Sequence, residues 1–218
     1  DPIALEALGL IHLQTGAFAE AASILRRAAL AAPESARAHA MLAAILRDAG
    51  QPHAEPLARA LELDPDETMA LLIRAWQRGH SGDLPGARRD FARIELLDGP
   101  GPALAYQLGT TLLDAGLLDE ALRHLDAAVV EELTATAEAH VNRGICLYRL
   151  GRLPEALAAL IVGLEEKPSL LNGLAFRGLV HAALGKKFEA RADLQRFLEH
   201  VTQGPMADEA RRALAKLR

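Results

Sequence analysis

Gly151-Arg152-Leu153-Pro154-Glu155-Ala156 decides how the chain is read, because Gly16-Ala17-Phe18-Ala19-Glu20-Ala21 has the same pattern: a glycine, then an acidic residue and an alanine. Gly16, Gly50, Gly82, Gly116, Gly151 and Gly185 stand in equivalent contexts, separated by 34, 32, 34, 35 and 34 residues. A fixed spacing in this range marks a chain built of stacked supersecondary units. On both sides of each glycine the apolar residues recur at helical spacing. The unit is therefore a helix-turn-helix hairpin, with the glycine supplying the left-handed backbone that ends the first helix.

Outward from the turns, small residues mark where two helix axes come close. Gly9, Gly109, Gly144 and Gly178 occupy the first helices, and Ala21, Ala87, Ala121, Ala156 and Ala190 the second. Their lack of bulk lets backbones approach, while larger apolar side chains fill the space to the next hairpin. Pro33, Pro65 and Pro168 stop second helices before the following hairpin begins. No hairpin buries its apolar face alone, so stability has to come from stacking.

These residues resemble the tetratricopeptide repeat family. The first unit carries Leu8-Gly9, Gly16, Ala21, Ala28 and Pro33 at that family's spacing. The fourth carries Leu108-Gly109, Leu112, Gly116, Ala121, Leu125 and Ala128; the fifth carries Gly144, Leu147, Gly151, Ala156, Leu160 and Pro168. The resemblance implies an all-α, right-handed superhelical solenoid forming a single domain over residues 1–218. Six hairpins are expected at about 2–35, 36–67, 68–101, 102–136, 137–170 and 171–204, with a capping helix at 205–218. In that last helix Ala210, Ala213, Leu214 and Leu217 form one stripe opposite Asp208, Glu209, Arg211, Arg212, Lys216 and Arg218. At the other end Asp1-Pro2 reads as a cap and first helical residue, with no preceding cover for the first repeat.

Two irregularities stand out. The second unit contains Pro52 and Pro56, so its second helix is expected to begin near Glu55 and end near Leu63, leaving a notch in the outer wall. Asp98-Gly99-Pro100-Gly101-Pro102 is the most loop-like stretch, a place for a bend or an ordinary repeat junction.

Composition narrows the function. Half of the 218 residues are apolar, only 4% are aromatic, and the formal net charge is −5. A basic stripe of the kind that follows a nucleic-acid backbone is absent from the sequence, which argues against a nucleic-acid partner, single-stranded RNA included. The apolar run from Ala156 to Leu164 is too short to insert in a bilayer. No leader sequence is visible from Asp1, and the compartment stays open between cytoplasm and periplasm, with cytoplasm favoured. Lysine occurs only at Lys167, Lys186, Lys187 and Lys216, so the basic residues are mostly arginine; together with the composition this suggests a bacterial chain.

No motif supplies chemistry. Phosphate-cradling, metalloprotease, paired-cysteine and nucleophile-elbow patterns are missing, so no enzyme activity, cofactor or metal is expected. His39 and His140 recur at one repeat position and His12 and His181 at another, as repeat inheritance would place them. Cys146, the only cysteine, sits among Gly144, Ile145 and Leu147 and reads as a buried thiol. Arg74, Arg143 and Arg177 recur where leucine is common; they could gather an acidic ligand, but stems packed between helices account for them better.

The resemblance also implies where a partner is held. In this family the first helices line the concave face. Carried over position by position, the contact residues are Met41, Leu72, Ile73, Trp76, Tyr106, Thr110, Asn142, Ile145, Tyr148, Asn172, Phe176 and Leu179, with Arg37, Arg47 and Glu138 nearby. That set includes the only tryptophan and both tyrosines, residues that commonly anchor partners, although core packing competes as an explanation. Without lysine before Lys167, a clamp for chaperone C-terminal carboxylates is not expected. The expected function is a protein-interaction module or assembly scaffold taking a peptide or helix of a partner. The alternative is a recruiting or regulatory domain cut from a larger enzyme or export protein; self-association through the first repeat is a further option.

Overall fold

The computed structural model describes residues 1–14, 17–99, 101–130 and 136–217. Turn glycine Gly16, Pro100 in the loop-like stretch, residues 131–135 and terminal Arg218 fall outside them. The described residues form thirteen helices and no strand, in two compact units, Asp1–Pro100 and Gly101–Arg218. The fold is an all-α helical-repeat solenoid.

The first unit contains three hairpins. They are α1 (Pro2–Gln14) with α2 (Phe18–Ala31), α3 (Ala36–Asp48) with α4 (Ala54–Leu63), and α5 (Thr68–His80) with α6 (Leu84–Asp98). The second contains α7 (Pro102–Asp114) with α8 (Leu118–Ala128), α9 (Ala137–Arg149) with α10 (Leu153–Glu166), and α11 (Leu171–Ala183) with α12 (Lys187–His200). Helix α13 (Pro205–Lys216) packs on α11 and α12.

The turns obey local rules. Gly151 has φ +77°; at this residue the Arg152 amide donates to the Leu147 carbonyl and the Gly151 amide to the Tyr148 carbonyl, both at 2.9 Å. These two bonds satisfy carbonyls that the end of α9 would leave unpaired. Gly50, Gly82, Gly116 and Gly185 repeat the left-handed conformation. Helix starts are capped by side chains where the sequence allows: Ser35 Oγ accepts from the Ala38 amide, Glu67 from Ala70, Asp83 from Gly86 and Thr136 from Ala139. Asp1 likewise accepts from the Ile3 amide, as the Asp1-Pro2 start predicts.

Within hairpins the register is constant. A Cβ built on Gly9, Gly109, Gly144 or Gly178 would lie 2.6–2.8 Å from the leucine sixteen residues later, Leu25, Leu125, Leu160 or Leu194. Each leucine is buried over the bare backbone of the first helix. Ala21, Ala121, Ala156 and Ala190 are fully buried beside them. Burial of this kind, at about 25 cal/mol per Å² of apolar surface, is what holds one hairpin to the next.

Helix α4 begins one residue before its expected start and ends at Leu63, so Pro56 falls in its first turn, where a missing amide costs nothing. In α13, Ala210 and Leu217 are buried and Ala213 and Leu214 half-buried, as the stripe predicts. Ala207, also fully buried, extends that stripe, and Glu209 is half-buried rather than fully on the solvent side. Within each unit the first helices touch their counterparts, α1 with α3 and α3 with α5, then α7 with α9 and α9 with α11. The second helices make no such contacts with one another. The first helices thus occupy the shorter, inner side of each stack.

Candidate partner-binding face

The inner helices carry the residues expected to meet a partner, and burial divides that set. Met41, Ile73, Ile145, Phe176 and Leu179 are all 1–6% exposed and belong to the packed interior. Met41 and Ile73 lie beneath the inner side of the first unit, and Ile145, Phe176 and Leu179 beneath that of the second. Leu72, Trp76, Tyr106, Thr110, Asn142 and Tyr148 are half-buried, and Asn172 is exposed. A helical stripe is wide enough to hold both buried and accessible positions.

In the first unit Trp76 is the centre. Its ring lies 4.1 Å from His80 centroid to centroid, tilted by 35°, and the Arg47 guanidinium sits 5.7 Å above it. The Arg47 cation is attracted to the negative face of the indole. Arg47 also donates to Asp48 through Nε and Nη2, which fixes the guanidinium plane. Arg37 pairs with Glu6 at 3.5 Å, across the contact of α3 with α1.

In the second unit the accessible residues are joined. Asn142 Nδ2 on α9 donates to Tyr106 Oη at 3.3 Å and Thr110 Oγ1 at 3.2 Å, both on α7. Tyr148 stands edge-on to Phe176, with ring centroids 5.6 Å apart and planes at 69°. Burial pushes the Tyr106 and Tyr148 phenols up from their ordinary range, so both are neutral donors near neutral pH. Lys167 Nζ donates to Glu138 at 2.7 Å and holds that carboxyl below its usual range.

The recurrent arginines are structural. Arg74 clasps buried Asp90 through Nε and Nη2 at 3.0 and 2.8 Å, and Arg177 clasps Asp193 in the same way at 2.8 and 2.7 Å. Both partners lie sixteen residues downstream, the same offset as the glycine–leucine contacts. That offset was the available signal for the missed acids. Residue 159, sixteen after Arg143, is alanine, and Arg143 turns back to Asp126 at 2.6 Å. His39 Nε2 lies 3.1 Å from the Pro33 carbonyl, and His140 lies 4.0 Å from Glu166. No group of three potential metal ligands gathers among the described residues. None of their helices is long and apolar enough to cross a membrane.

Residues 106–169, which contain the Tyr106–Asn142 link and the Gly151 turn, match the family model for the tetratricopeptide repeat. Over these residues the chain carries tetratricopeptide repeats. The repeat architecture extends beyond the matched segment in structural comparisons. A chain of the APC/C hetero-tetramer Cut9-Hcn1 superposes with TM-score 0.84 at 19% identity, over 98% of this chain and 43% of that one. The chain thus spans less than half of that neighbour's length. PilF of Pseudomonas aeruginosa gives TM-score 0.73 at 17% identity, covering 97% of this chain and 96% of its own. Human IFIT1, a dimer with PPP-AAAA, gives 0.76 at 17% identity, covering 91% and 50%. These identities establish a shared fold. Comparison with curated protein sequences gives no significant match.

Proposed function

We propose that this chain is a protein-interaction module that takes a peptide or helix of a partner on the inner side of its first helices. The observation that carries this reading is the Asn142 amide, whose nitrogen is engaged by Tyr106 and Thr110. A side chain held in this way keeps its carbonyl oxygen for a backbone amide of a ligand, at little further entropic cost. Tyr148, half-buried on the same helix, supplies an apolar surface with a polar tip beside it. Met41, Ile73, Ile145, Phe176 and Leu179 then act as the packed bed under the contact residues.

Binding is favoured over catalysis because the accessible groups Trp76, Tyr106, Thr110, Asn142 and Tyr148 form no nucleophile–base pair with one another. A peptide is favoured over nucleic acid by the net charge of −5 and by the engagement of inner-face cations: Arg37 with Glu6, Arg47 with Asp48 and Lys167 with Glu138. The same face would serve a recruiting domain of a larger enzyme or an export protein.

Selection of a displayed peptide library on the immobilised chain tests the reading. Selected peptides are expected to lose at least tenfold in affinity on Asn142→Ala or Tyr148→Ala, measured by fluorescence anisotropy. Peptides that bind both variants as tightly as the wild type would place the site elsewhere.

A further inference from the structure

The chain's positive charge is concentrated away from the inner face. Residues 186–218 contain eight lysines and arginines against five acids, net +3 in a chain of net −5. In this region a cleft of about 520 Å³ opens, lined by Arg191 and Gln195 from α12 and by Arg211, Leu214 and Ala215 from α13. That volume suits a short peptide segment or a small ligand.

Both arginines are held by backbone carbonyls. Arg191 Nη2 donates to the Leu217 carbonyl at the end of α13, where a cation also meets the negative end of the helix dipole. Arg211 Nη2 donates to the Thr202 carbonyl in the loop between the two helices. Each bond uses one of the five N–H groups of a guanidinium. Arg211 spends a further one on Asp208 at 3.0 Å, an exposed pair of little energetic weight. Arg191 has no carboxylate partner among the described residues, and neither end of the Gln195 amide is hydrogen-bonded there. Two cations fixed from behind, an unengaged amide and two apolar side chains therefore meet in one cleft.

We propose that this cleft is a second binding site, for an acidic peptide segment in which a glutamate or aspartate neighbours an apolar residue. The carboxylate is taken by the unused donors of Arg191 and Arg211, the backbone by Gln195, and the apolar side chain by Leu214 and Ala215. Guanidinium–carboxylate pairing is planar and charge-assisted, which gives the site direction as well as attraction. The apolar half of the cleft, formed by Leu214 and Ala215, disfavours polyphosphate chains, which have no apolar group to place there. The site is separate from the inner face and does not depend on the function proposed for it.

The probe is a fluorescein-labelled eight-residue peptide of alternating leucine and glutamate, blocked at both ends, with a glutamine-for-glutamate peptide as its neutral counterpart. Anisotropy titration is expected to detect binding of the acidic peptide only. Affinity should fall at least tenfold in the R191Q/R211Q double variant, and less than twofold in R27Q/R89Q, which removes the same charge from the first unit. Gln195→Glu leaves both arginine–carbonyl bonds in place and adds a repelling carboxylate. It should also lose at least tenfold while its circular dichroism and melting temperature stay those of the wild type. Equal losses in the two double variants, undiminished binding in Q195E, or no binding of the acidic peptide at millimolar concentration would each overturn the proposal. So would tighter binding of inorganic phosphate, a single-stranded RNA or phosphatidylserine vesicles, lost in R191Q/R211Q.

Discussion

Replacing Gly144 with alanine tests the close approach of helices that sets the hairpin geometry. The new Cβ would stand 2.6 Å from Leu160 Cγ, 3.1 Å from Leu160 Cδ2 and 3.2 Å from the Ala156 carbonyl oxygen, where ordinary contact begins at 3.4 Å. Leu160 is fully buried and must shift by roughly 0.8 Å, against packing that resists such shifts. Overpacking of this size costs about 1–3 kcal/mol. Alanine regains about 1 kcal/mol as a better helix former than glycine. The net expectation is a loss of up to about 2 kcal/mol. Urea unfolding followed by far-ultraviolet circular dichroism reads it; tryptophan fluorescence does not serve, because the only tryptophan, Trp76, is in the first unit. Leu160→Ala alone should cost about 2–5 kcal/mol. If the overlap with Leu160 is the cause, the double variant is less destabilised than the sum of the singles by at least about 1 kcal/mol. Gly151→Ala is the contrasting case. It meets nothing within 4 Å but has φ +77°, so it should lose about 1–2 kcal/mol whether or not Leu160 is present. A stabilised G144A, or costs that simply add with L160A, would mean that helix proximity at this point is slack.

Two further expectations concern buried groups. His181 is buried on α11, its Nδ1 has no hydrogen-bond partner, and Asp193 of α12 lies 3.9 Å from Nε2, with the Arg177, Lys186 and Glu189 charges also acting on the ring. Burial pushes its pKa down, so the unfolded chain binds the proton more readily. Its contribution is complete above about pH 6.5 and is lost as pH falls towards the lowered folded value. Thermal melts from about pH 7.5 to 5 should decline less in His181→Phe than in the wild type; parallel declines would contradict this. The Cys146 thiol donates to the Leu118 carbonyl, and burial pushes its pKa up to about 11. Iodoacetamide at neutral pH should leave it unmodified in the native chain and alkylate it promptly in urea, as mass spectrometry would record.

Much of the fold was legible because its determinants are local. The turn glycines, the Asp1-Pro2 start and Pro56 act through backbone angles and hydrogen bonds spanning a few residues. The stripe of α13 likewise needs only helical spacing. For the residues expected to meet a partner, the sequence placed them on the first helices but did not tell exposed positions from buried ones. Trp76 and Tyr148 remain half-open, whereas Phe176 and Ile145, chosen by the same positional rule, are covered by neighbouring hairpins.

By itself the sequence determined the repeat length, the all-α class, the turns, and the small residues, Gly144 among them, at which two helix backbones approach. These are consequences of short-range sterics and of a period repeated often enough to be read. Only the tertiary structure decided that Arg74 and Arg177 are held by Asp90 and Asp193, that five of the expected contact residues lie beneath the inner face, and that Arg191 and Arg211 converge in one cleft. Each depends on how far one helix covers another, which is set by side-chain volumes from two or three hairpins at once.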